Sequence, residues 1–231
     1  MSASSRLLVA LILGFILSFM ALAVQPVHAA SITVDTTADI VAVDGLCSLR
    51  EAIANSNNDA ATNADCAAGS GADTISFAGN GTITLTGGGS LVIADPLTIN
   101  GNGSANTIIE ANANANVAAF RVFTVSTGTL TLDAVQVRNG GNDSTAASNG
   151  GCISVFTNAG LTLQNGVLLT GCRTTAPADG AAISASTGTT VTITGSTVQN
   201  NISGGNGGVM QANGVVNITN STISNNSTAA T

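Results

Sequence analysis

Through the second half of the chain, apolar residues alternate with polar ones in short runs, and the runs recur. Leu130/Leu132, Leu161/Leu163, Val191/Ile193 and Val216/Ile218 each flank one polar residue, the period of a strand with one face inward. The units begin 31, 30 and 25 positions apart, and a repeat in this range marks a solenoid. A second apolar position follows in each unit, at Val137, Leu168, Val198 and Ile223. Asn139, Asn200 and Asn225 come two residues later, with Thr170 as the exception, where the chain must bend. Glycine-rich segments then lead to a third inward position, at Ile153, Ile183 and Met210.

Three short strands per turn, separated by Gly and Asn bends, describe one rung of a parallel β-helix, in which each rung pairs with those above and below. No 3.6-residue pattern runs through the repeats, and their Gly, Thr and Asn content opposes helical repeats of similar length. Earlier strands are expected at Thr74–Phe77, Thr82–Leu85, Leu91–Ile93, Leu97–Ile99, Thr107–Ile109 and Val122–Val125. From Thr74 onward there is room for about six rungs, an axis of about 29 Å at about 4.8 Å per rung.

One segment breaks the strand pattern. Ser48 and Glu51 fit a capping box at the start of a helix through Asn55, with Leu49, Ala52 and Ile53 on one face and Arg50 on the other. This helix is read as a lid over the first rung, with Glu51 and Asp44 the acidic groups nearest Arg50 in sequence. At the chain's start, Arg6 precedes an apolar run from Leu7 to Val24, then Pro26 and the small-residue exit Val27-His28-Ala29, the layout of a secretory signal peptide. The organisation expected is a signal peptide over 1–29, an N-terminal cap over 30–73 and a β-helix over 74–231. The last residues fall within a repeat, which predicts further rungs or a C-terminal anchor in a longer protein, or a partner over the open end.

Composition narrows the chemistry. Charged residues are 7% of the chain, and the formal charge is −7. Loss of a leader would remove Arg6 and the single histidine, leaving Arg50, Arg121, Arg138 and Arg173 as the cations. An acidic, lysine-free surface offers no electrostatic footprint for nucleic acid or for an anionic membrane. Cys47, Cys66, Cys152 and Cys172 permit two disulfides in an exported chain, and proximity favours Cys47–Cys66 and Cys152–Cys172. Zinc is disfavoured, since there is no Cys-x-x-Cys spacing and histidine leaves with the leader.

The hexapeptide Cys47-Ser48-Leu49-Arg50-Glu51-Ala52, preceded by Thr33-Val34-Asp35-Thr36 and followed by Cys66 and Asp73-Thr74-Ile75, resembles the signature of CSLREA-domain proteins. The later Gly-Gly-x-Ile and Asn-Asn punctuation is similar to repeats of polymorphic outer membrane proteins. The resemblance implies a bacterial exported or surface-exposed envelope protein. The fold it implies is all-β, a right-handed single-stranded parallel β-helix with a short N-terminal capping α-helix.

Two functions are then open: a structural or adhesive surface module, or a polysaccharide lyase or glycosidase on a pectate-lyase-like β-helix. A glycosidase needs two facing carboxylates, and a calcium-dependent lyase needs clustered carboxylates with a base nearby. Asp133, Asp143 and Asp179 stand at different offsets in the repeat, and the rungs aligned with Asp133 carry Gln164, Thr194 and Thr219. Arg138 is expected to stack on Leu169, Gln199 and Ser224. Trp and Tyr are absent, and Phe77, Phe120, Phe123 and Phe156 are assigned to the core. The sequence therefore favours the non-catalytic module, without cofactor, calcium having no assigned ligands. Its expected partners are host or environmental surface glycans or proteins. The Asn139, Asn200, Asn225 column is read as a structural ladder serving the bends.

Overall fold

Inward Ile, Leu and Val alternating with outward Thr, Ser and Asn set the strands, numbered β1 to β20 in chain order. The computed structural model describes residues 28–86, 89–141 and 149–229. The expected leader lies almost wholly outside the described residues, as does Asp143.

Among the described residues the fold is all-β with one helix, and the strands pair in parallel. A seven-stranded sheet runs in the order β1 (Ser31–Val34), β2 (Asp73–Phe77), β5 (Leu97–Asn100), β8 (Thr129–Asp133), β11 (Gly160–Gln164), β14 (Thr190–Thr194), β18 (Val215–Thr219). A six-stranded sheet holds β3 (Gly81–Thr84), β6 (Thr107–Glu110), β9 (Gln136–Arg138), β12 (Leu168–Thr170), β15 (Thr197–Gln199) and β19 (Thr222–Ser224). A five-stranded sheet holds β4 (Leu91–Ile93), β7 (Phe123–Val125), β10 (Ile153–Val155), β13 (Ile183–Ala185) and β17 (Met210–Ala212). The short β16 (Ile202–Ser203) and β20 (Ser227–Thr228) form a separate pair. From β2 to β15 the chain visits the three large sheets in strict rotation, so neighbours in a sheet are three strands apart in sequence.

Register follows the apolar pattern. In the seven-stranded sheet Ile32, Ile75, Ile99, Leu132, Leu163, Ile193 and Ile218 form one column, one residue per strand. Leu97, Leu130, Leu161, Val191 and Val216 form the adjacent inward column. A one-residue slip would turn every one of these side chains outward, so burial locks the pairing. The last strand is the exception in burial: Ile193 is fully buried, whereas Ile218 is 49% exposed.

Three expectations are corrected. Leu169, not Leu168, pairs with Val137 and Val198 and is buried. The corner before it holds Asn165 and Gly166, both with positive φ, where the aligned corners carry Ala134, Gly195 or Asn220 as the positive-φ residue. That extra corner residue moves the apolar position along by one. The same shift places Thr170, not Leu169, beside Arg138 and Gln199. Phe156 is 46% exposed because it extends β10 in its outward phase, Ile153 and Val155 being the inward residues. Within residues 30–73, Thr33 and Val34 lie in β1, which joins the largest sheet beside β2.

The helix α1 (Leu49–Asn57) packs on β1, β2 and β4, with Leu49, Ala52 and Ile53 buried. Both halves of its capping box form, Ser48 accepting from the Glu51 amide and Glu51 from the Ser48 amide.

Candidate functional site

Three of the four buried carboxylates among the described residues, Asp39, Glu51 and Asp73, lie within residues 30–73. Glu51 Oε2 accepts from the Ser48 amide and hydroxyl, both at 3.0 Å, while Oε1 accepts from the Ala42 amide at 2.9 Å. One carboxylate thus starts the helix and pins the preceding loop. Arg50 turns to Asp39 rather than to Glu51 or Asp44: Nε donates to Oδ1 at 2.7 Å and Nη2 to Oδ2 at 2.9 Å. The pair is bidentate, and Arg50 Nη2 also donates to the Gly89 carbonyl at 3.0 Å. Asp39 lies eleven residues before Arg50 with no repeat to mark it, so no pattern along the chain signals the pair. The Cys47–Cys66 disulfide then ties the helix start to the loop beyond the helix.

A second ion pair sits in the six-stranded sheet. Glu110 and Arg138 are register partners, and Arg138 Nε donates to Glu110 Oε2 at 2.6 Å. Thr84, stacked on the other side, donates its hydroxyl to Glu110 Oε1 at 2.7 Å. Glu110 is 2% exposed and its charge is fully engaged. The remaining acids of the repeats are apart from one another. Asp133 Oδ2 accepts from Gln164 and Asn165 side chains, each at 2.7 Å. Asp179 Oδ1 accepts from the Asn206 amide at 2.5 Å.

Asn139, Asn200 and Asn225 all adopt positive φ, the conformation such bends require, and Gly171 holds the equivalent place in the intervening turn. A Cβ on Gly171 would come within 2.5 Å of Asn139 Oδ1, which explains the glycine. The amide stack itself runs one residue further on. Asn201 Nδ2 donates to Asn226 Oδ1 at 2.9 Å and to the Leu169 carbonyl at 3.3 Å, and Asn201 Oδ1 accepts from the Cys172 amide at 2.9 Å. Asn201 is fully buried, whereas Asn139 turns aside to the Asn112 carbonyl at 3.0 Å. Cys172 in that column is bonded to Cys152, Cα atoms 5.3 Å apart, joining the end of β12 to the start of β10.

On the outer surface, Thr74, Thr98, Thr131, Thr162 and Thr192 form an unbroken column, followed by Asn217. A surface cleft of about 350 Å³ lies between Asn116–Ala119, Gly141, Arg173 and Thr175. Among the described residues that line it there is one guanidinium and no carboxylate. At the other end of the molecule the Asp95 carboxyl is held above its usual 3.8 by burial, with Asp59 and Asp73 nearby adding repulsion. Among the described residues no cluster of three or more His, Cys, Asp or Glu side chains could hold a metal ion. No helix among them is long and apolar enough to cross a membrane. The two disulfides fit an oxidising, non-cytoplasmic compartment.

No known protein family, curated protein or solved structure matches the chain.

Proposed function

We propose that the chain is an exported surface module with a structural or adhesive role, wound as a right-handed parallel β-helix capped by its CSLREA-like helix. The rotation of the chain through three parallel sheets supports the winding, and parallel crossovers are almost always right-handed. The observation that carries the role is the outward threonine column, five hydroxyls repeated at the spacing of the strands on a surface nearly without charge. Such a column presents hydroxyl and methyl groups in register, a surface fitted to extended polyhydroxylated partners such as glycans. Among the described residues the carboxylates other than Asp95 serve neighbouring backbone, side-chain amides, hydroxyls or arginines, which favours scaffold over chemistry.

The signal-like first 29 residues and the two disulfides support export. The test is a panel of surface glycans and acidic polysaccharides presented to the exported chain with calcium present. Saturable retention without new unsaturated products is the expected result. Release of unsaturated sugars would overturn the assignment in favour of a lyase.

A further inference from the structure

Asp73 stands where the fold puts hydrocarbon. It opens β2 in register with Leu97, and that column continues inward through Leu130, Leu161, Val191 and Val216. Asp73 is nonetheless fully buried. Its Oδ1 accepts from the Ala30 amide at 2.7 Å and from the Ser70 amide at 3.0 Å, with Oδ2 3.2 Å from the same Ser70 nitrogen. Two neutral amides are a thin complement for a buried carboxylate, which ordinarily takes a cation. Asp73 also acts with Asp59 on the Asp95 carboxyl, so the charges coupled to it there are acidic. Arg50 and Arg138 are engaged elsewhere, with Asp39 and Glu110.

Ala30 is also the residue that follows the small-residue exit Val27-His28-Ala29. His28 and Ala29 are exposed, whereas Ala30 is half-buried and packs against the core. We infer that cleavage between Ala29 and Ala30 creates an α-ammonium that pairs with Asp73, so that removal of the leader completes the N-terminal cap. This rests on the export reading and its expected cleavage point, and adds the use the fold makes of the new terminus. Hydrolysis adds water across the Ala29–Ala30 bond, leaving a carboxylate on Ala29 and an amine on Ala30 that takes up a proton. The nitrogen already donating to Oδ1 then does so with full positive charge, a stronger bond than the amide makes. Ala30 keeps its place because its carbonyl accepts from the Thr74 amide at 2.9 Å, an extension of the β1–β2 pairing.

The chain contains no lysine, so this amine is the exported product's single amine, and amine-selective acetylation reads it alone. The full chain is expressed with its leader, and the exported product is analysed by mass spectrometry and by acetylation rate, folded and in urea with reductant. A product beginning at Ala30 is expected, with the folded amine acetylated at least about tenfold more slowly than the unfolded one, the factor for an amine held one pKa unit higher. That protection should fade as pH rises through the amine's raised pKa, and Asp73→Asn should abolish it in the folded product. A first residue other than Ala30 in an exported product overturns this inference and leaves export standing. A product that keeps its leader overturns both. Equal acetylation rates in folded and unfolded wild type overturn the pairing whether or not the Asp73 variant folds.

Discussion

Asn200 and Asn201 are adjacent, both asparagine, and do different work. Asn200 supplies a positive-φ bend, while Asn201 satisfies the Cys172 amide and the Leu169 carbonyl inside the corner. Asn201→Ala should therefore cost about 2–3 kcal/mol in chemical unfolding, because it strands a buried donor and a buried acceptor. Asn200→Gly should cost only a few tenths, since glycine adopts the same backbone freely. Equal losses at the two positions would contradict the assignment. The sequence showed a column of asparagines, but not which member of each Asn-Asn pair turns inward; that choice depends on the corner geometry. Asp95 gives a prediction in pH. Burial, the largest cause, raises its carboxyl, so the folded state favours the protonated form and loses stability as pH rises through the raised value. Asp95→Asn should raise Tm at neutral pH, with the gain shrinking to nothing as pH falls below the ordinary 3.8. A gain that does not vary with pH would count against this account.

Elements were legible where period and burial agree. The columns through Leu130 and Leu132 follow directly from the two-residue alternation, and the capping box from Ser48 and Glu51. The shift to Leu169 was not legible, because Val167, Leu168 and Leu169 are apolar in succession and the pattern cannot say which two face inward. The extra residue at Asn165-Gly166 decides it, through backbone geometry that no hydropathy pattern carries. The salt bridges were also hidden, since Asp39–Arg50 and Glu110–Arg138 join residues that only the fold brings together. At this scale the Cys152–Cys172 bond is the most testable feature, closing a loop across the start of β10 and the end of β12. Cys152→Ala with Cys172→Ala should lower unfolding free energy by about 3 kcal/mol through loop-closure entropy. An unchanged urea midpoint would remove the disulfide from the account of stability.

For the whole molecule, the sequence carried the all-β, parallel class of fold because the same short alternation recurs along the chain. Its first strand was less visible: β1 is four residues long and separated from β2 by the helix and its loops. The outward threonine column, on which the proposed role rests, emerged only from the strand register. All of this depends on the three parallel sheets closing as one right-handed coil around a shared apolar interior. A crystal structure of the exported chain tests that most directly. It should show successive turns about 4.8 Å apart, a right-handed path, and Leu132, Leu163 and Ile193 stacked on one inner wall with Leu169 between Val137 and Val198. Sheets that pack as separate layers, a left-handed path, or Leu168 in the place of Leu169 would contradict it.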